Sequence, residues 1–177
     1  MRGFARVAAV VTPCTVADVD ANVEATLAGW QRAHEERCAV VVFPELGLVG
    51  YTARDLFHDR HVLDRVVAGV ASLAERGKKL SPLAIVGAPL RDGDALYNVA
   101  IAIQHGRVLA VVPKAYLPNY REFEEHRWFR PGRGLPAGST IELFGELLPF
   151  GPDILLSAAG CPDLVVGIEI CEDIWVH

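Results

Sequence analysis

The chain of 177 residues lacks the features that would tie it to a membrane or to nucleic acid. No apolar run approaches the roughly 20 residues that a membrane-spanning helix needs. Arg2 and Arg6 precede only a short apolar run that reads as a strand, so no secretory leader is expected. The formal charge is −5 and no basic patch appears, which excludes a nucleic-acid surface. The four cysteines, Cys14, Cys38, Cys161 and Cys171, fit neither zinc-ligand spacing nor a CxxC redox pair. Histidine is scattered: only His58 and His61 stand at a ligand-like spacing, and they read as an exposed helix start, so no metal site is assigned. Internal repeats, low-complexity tracts and linkers are missing, so residues 1–177 read as one domain. These absences together predict a cytoplasmic chain with reduced thiols.

What is present is apolar sequence in short runs. Apolar residues make up 51% of the chain, enough for a substantial core. Val7–Val11 reads as a strand, Asp18 or Asp20 caps a helix running to about Arg37, and Cys38–Phe43 reads as a strand covered on both faces. Strand, helix and strand at this length form a βαβ unit with a parallel pair. A second helix is expected from about His61 to Arg76, after a short helical turn at Asp55–His58, and a third strand at Leu83–Val86. Ala95–Ile103 and Arg107–Val112 flank His105-Gly106 as a hairpin, so the sheet is mixed. Pro113–Arg130 reads as loop and short helix, and Pro131–Gly138 as loop. Ile141–Leu148, Ile154–Ser157 and Leu164–Ile170 read as three further strands, the last buried and ending at Cys171.

Three polar residues each close an apolar strand, where an open α/β fold keeps its chemistry. Cys171 is the candidate nucleophile; Cys14, Cys38 and Cys161 read as small buried hydrophobes. Glu172 and Asp173 beside Cys171 raise its pKa, so the thiol needs a base and an electropositive partner. Glu45, after Phe43-Pro44, is the candidate base, poorly solvated at a strand end. Lys114, after Val111-Val112-Pro113, is the candidate donor to a developing oxyanion. Singly, each has an ordinary alternative: a buried thiol, a loop carboxylate, a snorkelling amine.

Phe43-Pro44-Glu45-Leu46, Pro113-Lys114-Ala115-Tyr116-Leu117-Pro118 and Glu169-Ile170-Cys171-Glu172-Asp173 resemble the three signatures of the nitrilase superfamily of carbon–nitrogen hydrolases. The stretches 44–51, 114–123 and 170–175 are similar to one branch, the amino-terminal glutaminase domains of glutamine-dependent NAD synthetases, and the similarity runs along essentially the whole chain, including 86–90 and Tyr97-Asn98. The resemblance implies an α/β fold, an αββα sandwich with mixed sheets, usually in homo-oligomers. It implies a Glu45-Lys114-Cys171 triad that releases ammonia from glutamine through a thioester, with the backbone N–H of Glu172 helping to hold the oxyanion. It places Tyr120 in contact with substrate, Glu125 where a second glutamate orients the lysine, and Glu172 and Trp175 in the glutamine pocket. The glutaminase step would need no cofactor. ATP and magnesium would serve a synthetase domain that amidates the deamido-dinucleotide, and no Gly-rich phosphate loop of that kind occurs in this chain.

The family's glutaminase domain continues well past its cysteine, whereas here His177 follows Cys171 by six residues, so the sandwich is expected to be incomplete at its C-terminus. Two other readings stand beside the glutaminase: a stand-alone nitrilase-type amidase for another amide, and an inactive fragment with an exposed sheet edge prone to self-pairing.

Overall fold

A computed structural model describes residues 3–176; Arg2 and His177, weighed above, lie outside the described residues. The elements follow in the order β1 (Val7–Ala9), α1 (Val19–Glu35), β2 (Val40–Val42), α2 (Arg60–Arg76), β3 (Leu83–Asp92), β4 (Ala95–Gln104), β5 (Arg107–Pro113), β6 (Thr140–Leu143), β7 (Glu146–Pro149), β8 (Leu155–Ala158) and β9 (Cys161–Gly167). Three 3₁₀ turns cover Tyr51–His58, Glu125–Arg127 and Cys171–Trp175. The side chain of Asp18 caps α1 by accepting from the Ala21 N–H, and Asp59 caps α2 by accepting from Val62.

The central sheet has the order β1-β2-β3-β4-β5. β1, β2 and β3 are parallel, whereas β4 and β5 are antiparallel additions, as the His105-Gly106 hairpin predicts. Successive strand residues point to opposite faces. Ala84, Val86, Ala88, Val99, Ile101 and Ile103 join the cluster beneath α1 and α2. Leu83, Ile85, Ala100, Ala102 and Val112 pack on the other face against Ile168 and Ile170, with Leu156 and Val166 at the margin. The antiparallel pair β8–β9 is therefore a second sheet laid on the first. The chain has an α/β sandwich architecture with a mixed sheet, as the resemblance implies, and the described residues form its helical, five-stranded and two-stranded layers. Among the described residues, no helix is long and apolar enough to cross a membrane.

Three expectations need correction. Ile141–Leu148 is a hairpin, β6–β7, rather than one strand. Its turn, Phe144-Gly145, takes left-handed backbone at both residues (φ 57° and 75°), which an apolar phenylalanine does not advertise. β9 ends at Gly167, short of Cys171, and is half-exposed rather than buried; Ile168 and Ile170 carry the burial instead. Cys38 is buried as expected, but Cys14 is exposed and Cys161 half-buried.

One glycine fixes how the loop after β2 lies on the sheet. A Cβ on Gly87 of β3 would stand 2.4 Å from the Pro44 carbonyl oxygen and 2.6 Å from the Leu46 amide nitrogen. The Leu48 N–H donates to the Gly87 carbonyl at 3.1 Å, so the Glu45 segment rests directly on the backbone of β3. Gly87→Ala should therefore push that segment off the sheet and destabilise the fold by about 1–3 kcal/mol, the usual range for overpacking. A denaturant melt of the variant at unchanged m-value measures it.

Candidate active site

Glu45 follows β2 and Lys114 follows β5, with β3 and β4 between the two strands. Lys114 is 1% exposed. Its ammonium donates to Glu45 Oε1 at 2.7 Å and to Glu125 Oε1 at 2.7 Å. A lysine carries three N–H donors, so one remains for a third partner. Each carboxylate also receives a neutral donor. Asn98 Nδ2 donates to Glu45 Oε1 at 2.6 Å, and the Tyr51 hydroxyl donates to Glu125 Oε1 at 2.6 Å. Glu125 is itself 1% exposed, inside the short 3₁₀ turn.

Cys171 opens the last 3₁₀ turn in left-handed backbone, φ 49°. A non-glycine residue in that region is uncommon and costs about 1–3 kcal/mol, so the surroundings must hold it there. Asp173 does much of the holding. Its carboxylate accepts from the Tyr116 N–H at 2.8 Å, the Ala115 N–H at 3.1 Å and the Ile170 N–H at 3.1 Å. The turn that carries the cysteine is thereby fastened to the residues directly after Lys114. Glu45 and Cys171 line one cavity of about 280 Å³ between the two sheets, with Phe43, Gly87, Val99 and Ile170 among its walls.

The charges in the cluster set each other. Burial works against the Lys114 ammonium, but the Glu45 charge and the hydrogen bonds to Glu125 and Glu45 outweigh it and hold its pKa above the ordinary lysine value. Burial raises the Glu125 carboxyl above its usual range despite the pull of Lys114 and Tyr51. The Tyr51 hydroxyl is raised by burial and by its hydrogen bond to Glu125. The Cys171 thiol is raised first by partial desolvation and then by the Glu45 charge; Lys114 opposes this without cancelling it, and Glu125 and Glu172 add to it. The neighbouring acids thus matter less than expected, and Asp173 is occupied with backbone N–H groups.

Carbon-nitrogen hydrolases, as a family, match residues 6–177 of the sequence. The chain belongs to that family. Glutamine-dependent NAD(+) synthetase of Mycobacterium tuberculosis is 42% identical over 174 residues, which are 98% of this chain and 25% of that protein. The protein of that name from Aquifex aeolicus is 32% identical over 161 residues, 91% of this chain and 24% of the relative. This carbon–nitrogen hydrolase chain therefore spans about a quarter of the length of the curated relatives it matches. Among solved structures, a glutamine-dependent NAD(+) synthetase from Cytophaga hutchinsonii superposes with TM-score 0.86 at 26% identity, over 96% of this chain and 28% of that one. An amidase from Nesterenkonia sp. AN1 superposes with TM-score 0.72 at 20% identity, over 98% and 58% of the two chains, and shares the fold.

Of the residues singled out in this carbon–nitrogen hydrolase sequence, Glu45, Lys114 and Glu125 form one hydrogen-bonded cluster, and Cys171 shares a cavity with Glu45. Tyr120 and Glu172 are also joined, the tyrosine hydroxyl donating to Glu172 Oε2 at 3.0 Å in an exposed position, and neither lines that cavity. Trp175 is 75% exposed and does not line that cavity. Asn98 and Tyr51 have no role assigned from the sequence, and Asp173 counts there only as a charge beside Cys171. Asn98 had a signal: an amide in a strand covered on both faces must find a partner. Among the described residues, no group of three or more His, Cys, Asp or Glu side chains is placed to hold a metal ion.

Removing the shared cation should be costly. Lys114→Met leaves two carboxylates facing each other beside a buried methionine, and should destabilise the fold by about 3–5 kcal/mol, measured by chemical denaturation. The thiol offers a second check. With the other three cysteines replaced by serine, Cys171 should titrate above an ordinary thiol, followed by thiolate absorbance. Glu45→Gln removes a charge that favours the protonated thiol, so the titration should move to lower pH.

Proposed function

We propose that this chain is the glutaminase part of a glutamine-dependent NAD synthetase, releasing ammonia from the side-chain amide of glutamine. What carries the reading is the buried Lys114 held between Glu45 and Glu125 beside the Cys171 cavity. It is supported by the identity to relatives of that name along nearly the whole chain.

The chemistry follows from proton positions. Both hydrogen bonds to Glu45 fall on Oε1, which leaves Oε2 able to take the thiol proton of Cys171. The resulting sulfur anion attacks the amide carbon of glutamine and a C–S bond forms. The third N–H of Lys114 and the backbone N–H of Glu172 would hold the oxyanion. Glu45 returns the proton to the departing nitrogen, the C–N bond breaks, and ammonia leaves a thioester on Cys171. Glu45 then takes a proton from water, the hydroxide attacks the thioester carbon, and the C–S bond breaks. Glutamate leaves and the sulfur regains its proton. Tyr120 and Glu172, hydrogen-bonded to each other, would bind the polar end of glutamine together with Trp175.

In this reading the ammonia passes to a synthetase part that amidates the deamido-dinucleotide. ATP and magnesium serve that part, and the glutaminase step needs no cofactor. Copies of the protein associate in the cytoplasm.

Ammonia release should be fastest with glutamine, slower with asparagine and slowest with simple amides. Equal rates across the three would overturn the substrate assignment. Glu45→Gln should cut release by about 10²–10⁴-fold, the worth of a general base. It should do so even though the same variant lowers the thiol pKa, because a resting thiolate cannot protonate the leaving nitrogen or activate water. A glutamine-like chloroketone should add mass at Cys171 rather than at Cys14, Cys38 or Cys161.

A further inference from the structure

We infer that Asn98 is a positioning residue for Glu45: it fixes which carboxylate oxygen is offered to the thiol. Its amide lies in the middle of β4, 1% exposed, where both sheet faces are covered. Two links make it the hub between the two strand ends. Its backbone carbonyl accepts from the Lys114 N–H at 2.8 Å, and its side-chain Nδ2 donates to Glu45 Oε1 at 2.6 Å. That oxygen also accepts from the Lys114 ammonium at 2.7 Å.

A carboxylate gripped by one donor can rotate about its last bond and exchange its oxygens. Two donors converging on Oε1 from different strands remove that freedom. Among the described residues, no donor is bonded to Oε2, so the lone pairs free to take a proton belong to that oxygen. Lys114 alone would not fix the choice, because its ammonium is shared with Glu125 and can turn about its own stem.

The orientation of the amide is dictated by its partner. A carboxylate accepts only, so Asn98 must turn its NH₂ toward Glu45. The cost appears on the other side: Asn98 Oδ1 is buried without a hydrogen-bond partner. An acceptor left unpaired in the core needs an explanation, and the demand of Glu45 for the amide's donor end supplies one. Leucine at this position loses one hydrogen bond to a carboxylate, worth about 1.5–3 kcal/mol, and in part offsets that by removing an acceptor that is already unsatisfied.

The inference rests in part on the proposed glutaminase reading, so the experiment has one arm that requires turnover and one that does not. Both use Asn98→Leu and Asn98→Asp in the full chain, with folding verified by denaturant melts. In the resting protein, loss of the amide donor leaves the Glu45 charge less compensated. Cys171 should then titrate at higher pH in Asn98→Leu than in the otherwise identical parent. A folded Asn98→Leu whose thiol titrates like the parent overturns the inference.

In turnover, kcat of Asn98→Leu should fall by about 10²-fold, the cost of a misplaced catalytic group, with KM for glutamine unchanged. Asn98→Asp restores a donor only while the two carboxylates share a proton, so its activity should survive on the acid side and vanish above it. Equal loss of the two variants at every pH would make the residue merely structural and also overturns the inference. If the parent releases no ammonia from any amide yet the thiol titration responds to Asn98→Leu, the glutaminase reading fails and the positioning role stands.

Discussion

One ammonium between two carboxylates is the interaction on which the rest of this site depends. Lys114 is removed from water almost completely, and an isolated charge so buried would lose its proton. It keeps its charge because Glu45 and Glu125 each accept from it at 2.7 Å. Glu125, equally buried, would itself be neutralised without the lysine and the Tyr51 hydroxyl. Coulomb attraction does not make such a cluster a net source of stability, since desolvation of three ions consumes much of it. Its value is geometric. Neutral donors from Asn98 and Tyr51 give each carboxylate a second fixed contact, so the three charged groups hold one arrangement.

The backbone that delivers these groups is built for close approach. Glu45 and Lys114 end strands separated by β3 and β4, and both strand ends are brought inward by local devices. Gly87 lets the Glu45 loop lie on the sheet with no side chain beneath it. Asp173 joins the cysteine turn to Ala115 and Tyr116, immediately beyond the lysine. Hydrogen bonds from backbone N–H groups to a carboxylate are worth about 1.5–3 kcal/mol each, enough together to offset the left-handed backbone at Cys171. Outside the cluster, Asp55 accepts from the Arg127 guanidinium and the Trp128 indole, tying the turn after Gly50 to the turn that carries Glu125. These bonds are exposed, so they add register more than stability.

Much of this was legible in the chain because period and punctuation agreed. The two helices, the parallel start of the sheet and the His105-Gly106 hairpin each had a local signal that tertiary packing did not contradict. Glu45, Lys114 and Cys171 stood out because each closes an apolar run. Phe144-Gly145 was missed since left-handed backbone at phenylalanine leaves no compositional mark. The run 164–170 was misread because β-branched residues there serve a two-stranded sheet with one face outward, as Val165 at 48% exposure demonstrates. Asp173 reads in the sequence as a charge beside Cys171, whereas its partners are backbone groups, two of them more than 50 residues away, and no pattern of side chains records those. Tyr51 was hidden for a related reason: its partner is 74 residues distant.

The same cluster explains why a thiol with a raised pKa can still serve as the proposed nucleophile. Two carboxylates and one ammonium carry a net charge of −1, and that charge resists the appearance of a second anion on sulfur. A thiolate resting beside Glu45 would add such an anion. Passing the proton from sulfur to Glu45 does not: the negative charge moves from oxygen to sulfur and the total stays the same. Lys114 then faces one carboxylate fewer, and its ammonium is more available to the oxyanion that forms as the sulfur attacks. Proton transfer and attack are thus favoured together and disfavoured apart, which ties ionisation of Cys171 to the presence of an amide and protects the empty site from adventitious alkylation.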